Sequence, residues 1–160
     1  MHVEQLMTKV VFACTPQDSL REAARIMWER DCGSIPVVEA NGSGRVVGII
    51  TDRDVCMCAF LEGRSLDELA VGDAMARVLR TCRPDDSLAE AEGLMRAAHV
   101  RRLPVVDDAG HLLGILSLAD FARAAARTCG ARRIDLALEE VGQTLSHVVE
   151  PHPLPGASGG

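Results

Sequence analysis

The chain has 160 residues, 48% hydrophobic and 25% charged, enough for one domain with a core or for two small repeats sharing one. Its net charge of −6 excludes a nucleic-acid binder that relies on a basic surface. There is no apolar run of about 18 residues to form a transmembrane helix, and Met1-His2-Val3-Glu4-Gln5 lacks the basic and apolar regions of a secretory signal, so the expected compartment is the cytoplasm.

In chain order, Val10–Cys14 is a short apolar stretch ending near Pro16, as a strand leaving a sheet should. Ser19-x-x-Glu22 carries a capping-box signature, and Leu20, Ala23, Ala24, Met27 and Trp28 follow at helical spacing, which predicts one buried face. Cys32-Gly33 ends that helix. Ile35–Val38 and Val46–Ile50 read as two strands joined by Asn41-Gly42-Ser43-Gly44, and a helix follows from Thr51. Val71–Met75 reads as a short lead-in helix. Val78–Cys82, a helix after Ser87-x-x-Glu90, strands Leu103–Val106 and Leu112–Leu116, and a helix from Ser117 then repeat the order.

The two halves are copies. Pro16 and Pro84 stand 68 residues apart, and at that offset Met7, Val10, Cys14, Asp18-Ser19-Leu20, Glu22-Ala23, Met27 and Pro36-Val37-Val38 all recur. Past the hairpin turn the offset becomes 66, because Ala40–Gly44 is two residues longer than its counterpart. Gly48-Ile-Ile-Thr51-Asp-Arg-Asp54 is thereby matched to Gly114-Ile-Leu-Ser117-Leu-Ala-Asp120. The predicted fold class is α/β (α+β), with two tandem β-α-β-β-α units. The expected bounds are 1–69 for the first repeat with its lead-in and linker, and 70–130 for the second. An amphipathic helix over 131–149, with Ile134, Leu138, Val141, Leu145 and Val148 on one seam, and a disordered tail over 150–160 complete the chain.

The six cysteines include no C-x₂-C pair, and no secretory context supports disulfides, so they read as small buried thiols. Met7, Met27, Met75 and Met95 read as core positions. No Walker loop, nucleophile elbow or metal-ligand run is present, so the chain is not expected to be an enzyme. Thr51-x-x-Asp54 and Ser117-x-x-Asp120 read either as capping boxes or as anion sites, since free N–H groups point outward at a helix start.

The paired Ser-Leu-x-Glu-Ala helix starts, Ile/Leu-Pro-Val-Val strands and Gly-Ile-x-Thr/Ser-x-x-Asp turns resemble a tandem pair of cystathionine-β-synthase (CBS) domains, over about Gln5–Arg127. The resemblance implies pseudo-twofold packing, two clefts between the repeats, and a regulatory sensor of AMP, ADP, ATP or S-adenosylmethionine. It also implies a homodimer and a separate regulated protein. Asp54 and Asp120 would take ribose hydroxyls, and Thr51 and Ser117 would lie near the phosphates. Arg102 matches a phosphate-contacting position where the first repeat has Ser34. Arg53, whose counterpart is Ala119, is a further candidate in the first repeat; Thr81 and Arg83 are weaker candidates for the same cleft. His99 reads as a half-exposed helix-end residue. The clefts are expected to differ in affinity, and the alternative is a ligand-free interaction module acting through dimerisation and the C-terminal helix.

Overall fold

A computed structural model describes residues 1–128 and 142–146. In each repeat an antiparallel hairpin carries the core between two helices. The first comprises α1 (Leu20–Glu29), β1 (Ser34–Val38), β2 (Val46–Thr51) and α2 (Asp52–Glu62). After a four-residue helix α3 (Val71–Ala74), the second comprises α4 (Leu88–Ala98), β3 (Arg102–Val106), β4 (Leu112–Ser117) and α5 (Leu118–Thr128). Registers match: Ser34 pairs with Thr51 and Arg102 with Ser117, and each hairpin has a bulge at its Val-Val step. No helix among the described residues is long and apolar enough to cross a membrane.

The expected leading strands are each reduced to one parallel bridge, Cys14 to Val37 and Cys82 to Val105. Val10 and Val78 are exposed rather than buried in a ladder. On α1, Leu20, Ala23 and Met27 are buried, but Trp28 is 88% exposed. It lies about 100° round the helix from Met27 and so leaves the buried face. Cys14 and Cys82 are buried, whereas Cys56 is exposed and Cys32 and Cys58 are half-buried. The reading of all six as buried thiols therefore holds for two; Cys129 lies outside the described residues.

The repeats are tied by reciprocal contacts. Val46 N–H donates to Gly110 O and Leu112 N–H to Gly44 O, both at 3.0 Å, so each hairpin touches the other's turn. The lead-in segments cross over. Val3 N–H bonds Asp86 O (3.0 Å), and Val71 N–H bonds the equivalent Asp18 O (2.8 Å). Val3 is buried in the second repeat's core, with Leu6 and Met7 packed against it; Leu69, Val71 and Met75 are buried in the first repeat's core.

This crossing explains the glycine in the duplicated turn motif. Met7-Thr8 runs beside Gly114, and Met75-Ala76 beside Gly48. A Cβ on Gly114 would stand 2.9 Å from Thr8 O, and one on Gly48 would stand 3.0 Å from Ala76 O. Thr8 exchanges both backbone hydrogen bonds with Ile115, as Ala76 does with Ile49. A side chain at either glycine would force the segments apart.

Of the predicted C-terminal helix, only 142–146 is described, and it is helical. Buried Thr144 donates to Glu92 Oε1 on α4, whereas Leu145 is exposed. Ile134, Leu138, Val141 and Val148, like the predicted tail, lie outside the described residues.

Candidate functional site

Both hydroxyl–aspartate turns are capping boxes. Thr51 precedes α2, and its Oγ1 accepts from Asp54 N–H (3.2 Å) and donates to Asp54 Oδ2 (2.7 Å), which also accepts from Thr51 N–H (2.9 Å). Ser117 and Asp120 repeat this at α5, with bonds of 3.3, 2.6 and 2.8 Å. The cap uses one carboxylate oxygen. At Asp54 the other meets no hydrogen-bond partner among the described residues, while Asp120 Oδ1 is bonded by Arg123. Capping and ligand binding are therefore not exclusive readings: the cap fixes a carboxylate and leaves lone pairs on it.

A cleft of about 430 Å³ opens between the repeats in front of Ser117 and Asp120. One wall is the first repeat: Thr8, Val10, Val11, Phe12, the α1 end at Arg30–Cys32, and Ser34-Ile35. The other comprises Arg102, Ile115, Ser117, Ala119, Asp120 and Arg123 of the second. Arg30 stacks its guanidinium 3.8 Å from the Phe12 ring centre. Asp120 is only 6% exposed, and its neighbour Arg123 balances its charge across the mouth.

Ser34 has the clearest unmet demand. It is 5% exposed, and its Oγ has no hydrogen-bond partner. A buried hydroxyl without a partner costs roughly 1–3 kcal/mol, so a group arriving in the cleft with a donor or acceptor would relieve it. Around Ser34 stand a helix N-terminus, guanidinium groups and a half-open aromatic ring. That set suits a ligand with an anionic group, hydroxyls and a flat ring.

Of the sequence-predicted residues, Arg102, Ser117 and Asp120 meet in this cleft. Thr51, Arg53 and Asp54 sit at the start of α2, outside its lining. They occupy the symmetry-related place, Thr51 standing two residues beyond the Ile49–Ala76 bridge as Ser117 is two residues beyond the Thr8–Ile115 bridge. Thr81 and Arg83 open instead onto a different pocket with Arg45, Asp86 and Asp107, where Arg83 pairs with Asp108. The residue equivalent to Phe12 is Arg80, one position before Thr81.

Sequence reasoning missed Val10, Phe12, Arg30, Asp31 and Arg123. The repeat held a signal for one of them. Asp31 and His99 are equivalent, and both adopt left-handed backbone, at φ 48 and 53, just past a helix end. His99 is exposed rather than half-exposed. No group of three His, Cys, Asp or Glu side chains suited to a metal occurs among the described residues.

Comparison with known proteins agrees with this architecture. The family model described as CBS domain matches residues 3–59 and 71–127. The chain is 37% identical over 120 residues to the CBS domain-containing protein YhcV of Bacillus subtilis, covering 75% of this chain and 82% of that one. Its fold is similar to that of CBSX2 in complex with AMP, at 30% identity and TM-score 0.68, covering 79% of this chain and 96% of that one. It is also similar to the CBS domain pair of MJ0100 in complex with 5′-methylthioadenosine and S-adenosyl-L-methionine, at 25% identity and TM-score 0.69, covering 78% and 98%.

Proposed function

The chain belongs to the CBS-domain family, with two copies in tandem, and from that premise we propose that it is a regulatory module binding an adenosine-containing ligand between its repeats. The observation that carries this reading is the cleft in which Ser34's partnerless hydroxyl, the α5 cap and Arg102 come together. Phe12 and Arg30 form a platform for a flat base. The lone pairs of Asp120 take ribose hydroxyls, with Arg123 yielding its bond, and the α5 N-terminus with Ser117 and Arg102 stabilises an anionic group. Similar structures hold AMP, or 5′-methylthioadenosine and S-adenosyl-L-methionine, which supports an adenosine core as the shared element. Thr51, Arg53 and Asp54 furnish the second cleft.

Thermal melting of protein freed of copurified nucleotide tests this. AMP at about 100 times its dissociation constant adds roughly 2.7 kcal/mol. An unchanged melting temperature with AMP, ADP, ATP, adenosine and S-adenosylmethionine alike would overturn it.

A second reading, self-association, rests on a separate observation. Trp28 on α1 is 88% exposed and lines an apolar groove with Ala24, Met27 and Val55. An exposed tryptophan at an apolar groove marks an interface, and we assign this face to a homodimer. Trp28→Glu should shift the sedimentation mass from two chains towards one. A monomeric wild type rules it out.

A further inference from the structure

Arg102 lines the cleft from the second repeat's side. It opens β3, and its backbone pairs with Ser117, the cap of α5. Its guanidinium reaches back across the pseudo-twofold. A Cβ placed on Gly33 would lie 3.8 Å from Arg102 Nη2 and 3.1 Å from Oδ2 of Asp52, the first residue of α2. The group therefore lies between the cleft at the α5 N-terminus and the first residue of α2.

Among the described residues no carboxylate forms an ion pair with Arg102. Arg123, by contrast, is held by Asp120, and Arg30 lies over Phe12. Symmetry sharpens the point. Ser34 and Arg102 are equivalent positions, and both line the first cleft. Applying the repeat to that lining returns the same two residues for the second, beside Thr51 and Asp54. One half of this shared pair is a partnerless hydroxyl and the other a cation without an ion pair, both among the described residues.

Resting on the adenosine-ligand reading above, we infer that Arg102 is a phosphate-contacting residue common to both clefts, so that a phosphorylated adenosine ligand in one weakens phosphate binding in the other. A guanidinium committed bidentately to one phosphate is turned away from the second cleft. Two phosphates sharing one cation also repel each other across a partly dry space. Adenosine itself, which makes no demand on Arg102, should fill the clefts independently.

The test is calorimetric titration of the full chain with AMP and with adenosine. It uses wild type and the single-cleft variants Asp54→Ala and Asp120→Ala, each with and without Arg102→Gln. Melting checks that each variant is folded, and Asp→Asn, which keeps a cap acceptor, replaces any that is not. Arg102→Gln should weaken AMP about tenfold or more in both single-cleft backgrounds, leaving adenosine within about twofold. With the second cleft disabled by Asp54→Ala, the first should bind AMP more tightly than the weaker step of wild type. Loss confined to one background, an equal loss for adenosine, or AMP steps that strengthen one another would overturn the inference while leaving the adenosine reading intact. If neither AMP nor adenosine binds wild type, both fall together.

Discussion

The two repeats share a backbone plan but differ in what fills it. Position 55 of the first is Val and its equivalent, 121 in the second, is Phe; both are buried. Position 24 is Ala, beside an open groove, whereas its equivalent Glu92 is buried and accepts from Thr144. Position 12 is Phe in the cleft wall, and its equivalent, 80, is Arg. Duplication conserved the groups that close the backbone, namely the caps, the Pro-Val-Val strands and the crossing glycines. Divergence fell on groups that face the core filling, the clefts and the outer helical surface. Function is therefore to be sought in the differences between copies.

The largest expected effect breaks the core asymmetry. Phe121→Ala should cost about 3–5 kcal/mol in urea unfolding, and Val55→Ala about half that or less, because the cavity scales with what is removed. Equal losses would mean that the two cores are interchangeable. Next come the crossing points. Gly114→Ala and Gly48→Ala should each cost about 1–3 kcal/mol, since each new methyl faces a backbone oxygen and a methionine sulfur at 2.8 Å. A cost at one position alone would show that only one lead-in is held tightly.

The buried thiols give a smaller effect, common to both copies. Burial, aided by Asp18 beside Cys14 and Asp86 beside Cys82, pushes both from the ordinary 9.0 to about 12. A folded-state pKa raised above the unfolded value contributes stability that is full below pH 9 and lost as pH rises towards 12. The loss is at most about 1.4 kcal/mol per thiol per pH unit. Urea midpoints measured from pH 8 to 11 should fall, and the fall should shrink by similar amounts in Cys14→Ala and Cys82→Ala.

Much of this was legible because it is local. The hairpins follow from Pro-Val-Val and the Gly-bearing turns, and the helix starts from Ser and Thr caps, all within a few residues of their partners. The lead-in exchange was not, since Val3 and Val71 find their partners at Asp86 and Asp18, far along the chain. The same distance hid Phe12, which looks like a strand residue beside Val10 and Val11 but borders the cleft because the strand is one bridge long. Trp28 counted as apolar at helical spacing, and spacing alone could not say whether a neighbouring element covers that edge. The repeat offset makes Arg80, and not Thr81, the equivalent of Phe12.

The smallest difference tests how closely the copies match at their caps. Ser87 and Glu90 form both halves of a capping box, with Ser87 N–H donating to Glu90 Oε2 at 2.9 Å. In the first repeat only one half of the expected box forms. Ser19 accepts from Glu22 N–H (3.2 Å), but the Glu22 carboxylate turns to Arg25, whose Nε donates to it at 2.9 Å. That bond holds Glu22 below the usual carboxylate range. The second repeat has Gly93 in place of Arg25, so no guanidinium competes for Glu90 from that position. Glu90→Ala should therefore lose a bond at the cap and lower the urea midpoint. Glu22→Ala loses an exposed ion pair whose small contribution fades as salt is added. Urea unfolding at low and high salt separates them: the Glu22 cost should shrink at high salt, and the Glu90 cost should persist. A salt-insensitive loss at Glu22 would mean that its carboxylate returns to the cap in solution, and that the first repeat closes its helix as the second does.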